Sequence, residues 1–362
     1  MRTSLCDRLG IEHPIFGFTP SEHVAAAISR AGGLGVLGCV RFNDAEDLDR
    51  ALTWMDANTD GKPYGVDIVM PAKVPTEGTQ VDLSQLIPQG HRDFVQQTLL
   101  KLGVPPLPEG EDSEGVLGWL HSVARSHVDV ALEHPIRLIA NALGSPPVDV
   151  IERVHAAGVP VAALAGKAEH ARRHVENGVD IVVAQGYEAG GHTGEIATMV
   201  LVPEIVDAVD VPVLAAGGIG SGRQAAAAMA LGASGVWMGS YWLTTAEYQL
   251  GNSSTQEALL AASSSDTVRT RIYTGKPARL LKTRWTEAWG STDAPEPLPM
   301  PLQNLLVSEA HLRIARSDDP SVVSMPVGQV VGRMNEVRPV AEVMAGLLQE
   351  FDETLERLTK LR

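Results

Sequence analysis

The chain has 362 residues, 44% of them apolar, and a formal net charge of -15. That length accommodates one barrel-sized domain with additions or two smaller domains. The acidity argues against a nucleic-acid or anionic-membrane surface while leaving room for a locally positive pocket. The two cysteines, Cys6 and Cys39, provide neither a disulfide framework nor a cysteine-rich zinc site. No signal-peptide core and no membrane-length apolar run occurs, so the expectation is a soluble, cytoplasmic protein.

Short apolar runs alternate with alanine-rich, helix-like segments. Ile11–Phe16 reads as a first strand, followed by a helix over Ser21–Ala31; Gly35–Gly38 is a second strand, with Asp44–Met55 helical. Tyr64–Val69 is a third strand and Arg137–Ala140 a fourth, with a helix starting near Pro147. Val159–Leu164 is a fifth, followed by a helix over Lys167–Asn177. Asp180–Val183, Val211–Ala215 and Gly235–Met238 complete a set of eight. Strand–helix alternation implies a parallel sheet, eight units imply closure, and continuously apolar strands suit a sheet buried on both faces. The predicted fold is an α/β TIM (β/α)8 barrel over residues 1–248.

Two segments exceed a minimal barrel. Residues 71–133, an insertion after the third strand, are rich in proline, glycine and charge, with helices expected over Gly90–Leu102 and Glu114–Leu132. A long insertion there lands on the face where barrels keep their chemistry, as a lid or as a surface elaboration. Residues 249–362 form a mostly helical C-terminal extension expected to pack on the barrel. It contains a proline-rich extended stretch, Ala294–Pro301, and a final helix with apolar positions from Val340 to Leu358.

The chemistry concentrates at two strand ends. The sixth strand runs into Ala184-Gln185-Gly186-Tyr187-Glu188-Ala189-Gly190-Gly191-His192-Thr193-Gly194. Glycine lets the backbone approach a flat ligand, and a neutral imidazole takes a proton near neutral pH. His192 reads as a general base or as a hydrogen-bonding group, and Glu188 as a carboxylate that folds back to fix the loop. The seventh and eighth strands end in Gly217-Gly218-Ile219-Gly220-Ser221-Gly222 and Gly239-Ser240, where a barrel binds phosphate. The spacing does not match a dinucleotide fingerprint. Lys167 follows the fifth strand as an anion-stabilising or a solvated residue; Gln185 ends the sixth and Asp67 the third, the latter as a group that orients other polar atoms. The histidines, among them His13, His23, His121, His127, His134, His170 and His192, are scattered without metal-ligand spacing, so no metal is expected.

These residues resemble the nitronate monooxygenase family, formerly the 2-nitropropane dioxygenases. The likeness rests on Ala31–Gly35, the Ala184–Gly194 loop, Ala216–Ile219, Met238–Ser240, Thr274–Arg279 and Gly328-Gln329. It implies an FMN-dependent barrel with the phosphate at Gly217, Gly218, Gly239 and Ser240. Gln185, Gly190 and Gly191 would approach the flavin, Lys167 and Asp67 would flank it, and His192 would be the catalytic base. The implied substrates are an alkyl nitronate and dioxygen, giving a carbonyl compound and nitrite. A flavin-dependent NAD(P)H enoyl-thioester reductase is the alternative enzyme, and a flavin- or phosphate-binding protein without turnover the third reading. The chain departs from the family at Phe16–Pro20, in place of a Gln-Ala-Pro-Met type run, and at Asp67, in place of asparagine. Both departures flank the expected flavin and bear on the substrate. The oligomeric state is left open.

Overall fold

The computed structural model describes residues 1–70, 83–108 and 120–361. Eight parallel strands close into a barrel: β1 (Ile15–Thr19), β2 (Leu34–Gly38), β3 (Tyr64–Asp67), β4 (Ile139–Asn141), β5 (Val161–Ala165), β6 (Ile181–Gln185), β8 (Val213–Ala216) and β9 (Gly235–Met238). A ninth short strand, β7 (Gly191–His192), leaves the barrel after β6. It joins β10 (Thr267–Thr270) and β11 (Ala278–Leu281) in a separate sheet of order β10-β11-β7.

The barrel helices follow their strands. They are α2 (Glu22–Arg30), α3 (Ala45–Asn58), α6 (Val148–Ala156), α7 (Ala168–Glu176), α8 (Thr198–Val206) and α9 (Gly222–Ala230). Side-chain caps mark several starts: Ser21 accepts from Val24 N, Asp44 from Asp47 N and Ser221 from Gln224 N.

The first strand starts at Ile15 rather than Ile11. Pro14 has no N–H to offer a ladder, and the Glu12 and His13 amides both bond Gly32 O. Ile11 instead joins Leu5, Cys6 and Leu9 of α1 (Ser4–Leu9) against the barrel-interior side chains, so this short helix plugs the barrel. The sixth strand runs past Val183 to Gln185, extending its pairing with β8.

Within the insertion, α4 (Gln89–Leu102) and α5 (His121–Ala131) are helical; the expected helix from Glu114 begins outside the described residues, as do residues 71–82. The helices part company. Ala124, Val128 and Ala131 of α5 join α3 and the outer faces of β3 and β4. Val95 and Leu99 of α4 pack instead with α11 (Arg284–Trp289) and α12 (Leu302–Ala315) of the extension, where Phe94 meets Trp289 edge-on at 4.9 Å. Insertion and extension thus share one apolar core, which also takes in Leu280 of β11.

The extension returns to the barrel through α13 (Val340–Thr359), after α10 (Ser253–Ala261). Val340, Val343, Met344, Leu347 and Phe351 enter the cluster formed by α2, α8 and α9. A Cβ on Gly222 would stand 2.2 Å from Leu347 O, so α9 begins with glycine because the α13 backbone passes there. Gly222→Ala is expected to cost about 1–3 kcal/mol in denaturant unfolding, as overpacking does. Gly346→Ala, in the exposed middle of α13 with nothing within 4 Å of the added methyl, is expected to raise stability by about 0.5–1 kcal/mol.

Candidate active site

Side chains alternate between the barrel interior and the helices, and the pairing register decides which is which. Phe16, Val36, Ala140, Ala162, Val183 and Ala216 lie in the interior cluster, and Tyr64 and Val66 in the outer one, which turns Gly65 inward. Two residues further along the same face come Phe18 on β1, Asp67 on β3, Leu164 on β5 and Gln185 on β6. Asp67 pairs with Gly38 and Ala140, and Gln185 with Ala216, which fixes both as inward-facing at the carboxyl mouth. Phe18 stacks on Trp237 with centroids 6.3 Å apart and lies against Gly38. The mouth therefore has an aromatic floor carrying two polar side chains.

The two differ in their surroundings. Gln185 is partly exposed, whereas Asp67 is 2% exposed and its Oδ2 has no hydrogen-bond partner among the described residues. Uncompensated burial raises the Asp67 carboxyl to about 7. Asn141, next along β4 from Ala140, is spent on backbone: its Nδ2 donates to Met70 O and Gly144 O, and its Oδ1 accepts Met70 N–H.

His192 is held over the mouth by the extension. β7 pairs antiparallel with β11, Ala278 opposite His192 and Arg279 opposite Gly191. His192 Nε2 lies 2.7 Å from Thr274 Oγ1, and no partner for Nδ1 occurs among the described residues. Burial, with a smaller push from Lys276, lowers His192 to about 4, so its ring is neutral at neutral pH.

The loop before it is pinned at several points. Glu188 folds back, its Oε2 accepting Thr198 N–H at 2.9 Å and the Thr198 hydroxyl at 2.8 Å. Tyr187 lies under Arg279 at 4.4 Å and near Arg269 at 5.9 Å, while Arg279 Nε and Nη2 donate to Tyr187 O. Arg279 is 2% exposed and forms no ion pair among the described residues, so its charge is little compensated.

The expected phosphate glycines converge with this loop. Gly218 sits against Glu188, Gly190 meets the Val327-Gly328 backbone, and Gly328 N donates to Ser240 Oγ at 2.8 Å. Gly190 has an internal reason to be small: its Cβ would stand 2.6 Å from Gly328 N. Gly217 and Gly218 adopt positive φ, 101° and 70°. Among the described residues, no acceptor takes the amides of Gly218 and Gly239. The N-terminus of α9 is already used, because Glu350 of α13 accepts Gly222 N–H at 2.8 Å and Gln224 accepts Gly220 N–H. Lys167 stands apart, exposed at the start of α7 with no side-chain partner among the described residues, while Gly166 beside it abuts Gly194.

Thr274, Arg269 and Arg279 are the site-forming residues that sequence reasoning did not single out. Thr274 and Arg279 appear in the sequence only within the Thr274–Arg279 run, and nothing local announces a partner 82 positions away from His192. Among the described residues, no group of three or more His, Cys, Asp and Glu side chains is gathered for a metal, and no helix is long and apolar enough to cross a membrane.

The family model for nitronate monooxygenase matches residues 2–350. The chain belongs to the nitronate monooxygenase family. It is thus an oxidoreductase, built on the barrel that its solved relatives share. A Mycobacterium tuberculosis protein whose name assigns it provisionally to the monooxygenases is 50% identical, with 100% of this chain and 99% of its own length covered. A nitroalkane oxidase from Streptomyces ansochromogenes has the same architecture, with a TM-score of 0.83 and 27% identity over 98% of this chain and 100% of its own. FabK from Thermotoga maritima has a TM-score of 0.78 and 30% identity, with both chains covered fully.

The lowered His192 has a consequence for stability. Between about 4 and the ordinary 6.5, the unfolded chain binds a proton at this position and the folded chain does not. Stability therefore falls as pH drops through that window. Relative to a His192→Gln variant, the native protein is expected to lose on the order of 1 kcal/mol or more between pH 6.5 and 4, with no change in the difference above pH 7. His311, lowered to about 4 by burial, acts in the same direction in both proteins and cancels in the comparison.

Proposed function

We propose that this chain is an FMN-dependent nitronate monooxygenase that oxidises alkyl nitronates with dioxygen to a carbonyl compound and nitrite, with His192 as the catalytic base. The observation that carries the reading is a neutral histidine, tied to Thr274, one residue in register from the buried cation of Arg279. A chain of net charge -15 that puts Lys276 beside the imidazole, with Arg279 and Arg269 gathered on Tyr187 of the same loop, favours an anionic substrate there.

The residues present suit the cofactor. The Gly218 and Gly239 amides are unspent, and the Ser240 hydroxyl, having accepted Gly328 N–H, keeps its own proton to donate. These are the donors a phosphate needs, and the Phe18–Trp237 floor with Gln185 offers a flat, partly polar seat for a ring. When bound, FMN would accept the electrons from the substrate and pass them to dioxygen.

The protein's own part is electrostatic and geometric. In the tautomer that donates Nε2–H to Thr274, the Nδ1 lone pair of His192 is free to take a proton. Arg279 and Arg269 hold Tyr187 and hence the loop, and Lys276 favours negative charge beside the imidazole. The insertion helix α4, sharing its core with β11, serves as a wall of the substrate pocket.

His192→Ala is expected to lower turnover roughly a hundredfold or more while leaving bound flavin unchanged. Thr274→Ser keeps the hydroxyl and retains most activity; Thr274→Val loses the tautomer control and lowers kcat more than KM rises. Since His192 is in its base form above about 4, the acid limb of kcat/KM should lie near that value. An acid limb at the ordinary histidine value would contradict the assignment. Anaerobic stopped-flow mixing tests the substrate class: a nitronate should bleach the flavin rapidly. Rapid bleaching by NADPH with none by a nitronate would instead establish the reductase.

A further inference from the structure

Asp67 is the one inward-facing carboxyl at the barrel mouth that the reading above leaves without a task. Its place is set by backbone pairing, since Gly38 and Ala140 flank it in register on β2 and β4. It is 2% exposed, its Oδ2 has no partner among the described residues, and Asn141, next along β4 from its register partner Ala140, is committed to Met70 and Gly144. An ionised carboxylate left this way is costly, whereas a protonated one carries a donor that needs only one acceptor.

The groups around it do not relieve the charge. From the β2 side comes Cys39, whose thiol is itself pushed up by burial and by Asp67. Arg41, two residues on, turns away to Pro20 O at 2.8 Å and Glu22 at 2.6 Å. From β4 come only Ala140 and the neutral amide of Asn141. On β3 itself, Tyr64 belongs to the outward cluster and donates to Asp56. Among the described residues no cation is paired with Asp67, and burial is the one cause of its raised value.

We propose that Asp67 keeps its proton in the working enzyme and donates it as a hydrogen bond to an electron-rich acceptor, a carbonyl oxygen or ring nitrogen, of the bound flavin. The inference rests on the FMN reading and deepens it. A neutral donor under the ring strengthens as negative charge builds on that acceptor, and a carboxylate at the same position would oppose that charge. It also makes cofactor retention depend on pH: the bond is present while Asp67 is protonated and lost as pH rises through its ionisation. In the free protein that change centres near 7, and an acceptor bound to the protonated form moves it higher.

The test is the FMN dissociation constant of the apoprotein, read by quenching of flavin fluorescence on both sides of pH 7. For the native chain, affinity should fall at least about tenfold as pH rises through the ionisation, the size expected for one hydrogen bond to a group gaining charge. Asp67→Asn, which keeps a donor but cannot ionise, should bind tightly without that loss, and Asp67→Leu should bind weakly throughout. Ionisation of the phosphate, near about pH 6, acts on all three proteins alike. A second readout does not need the cofactor: the infrared band of a protonated carboxyl should be present in the native apoprotein below pH 7, and absent in Asp67→Asn. Identical pH profiles for native and Asn proteins would overturn the proposal, as would native-like binding by a folded Leu variant. Failure of the native protein to bind FMN at any pH would overturn the flavin reading, and this proposal with it.

Discussion

Two residues of antiparallel pairing, Gly191-His192 against Ala278-Arg279, connect everything else in this molecule. The barrel supplies a mouth with an aromatic floor, but it does not supply the imidazole's position. That comes from the extension, through β11 and through Thr274 at 2.7 Å from the ring. The same short sheet leans on the core shared by α4, α11 and α12, so the insertion and the C-terminal third support one histidine. A barrel cut at the end of β9 would lack both the β11 edge and the Thr274 hydroxyl that hold the imidazole.

Electrostatics act on top of that frame. The chain is strongly acidic overall, yet the charge acting on the imidazole is that of Lys276, and two arginines, Arg279 and Arg269, gather on Tyr187 of the same loop. A buried guanidinium bonded, among the described residues, to a carbonyl and a hydroxyl alone keeps more of its field than one beside a carboxylate. Burial keeps His192 uncharged so that it can accept a proton, while burial keeps Asp67 charged only at a cost. One physical effect thus biases the imidazole toward its neutral form and the carboxyl toward its protonated form.

The barrel was legible because its strands are short apolar runs between helix-like segments, with Gly235–Met238 read to the residue. The converging glycine loops were legible for a related reason: glycine at consecutive strand ends has few structural explanations. The plug helix Ser4–Leu9 was not, since six residues hold too little periodicity to announce a helix. Contacts across long stretches of sequence were also hidden. Thr274 beside His192, Glu350 on the start of α9 and α4 against α11 all depend on how the extension folds back. The start of α9, beside the glycine loop, is satisfied by Glu350, which leaves the strand-end amides as the unspent donors. The orientation of Asp67 needed the register, because a single residue of slip would have turned it toward the helices.

The central claim is that this mouth holds a flavin. The visible spectrum of the purified protein after incubation with FMN and removal of the excess tests it most directly. Two flavin absorption bands that persist through desalting, at one equivalent per chain, are predicted. A colourless protein after that treatment would contradict the account.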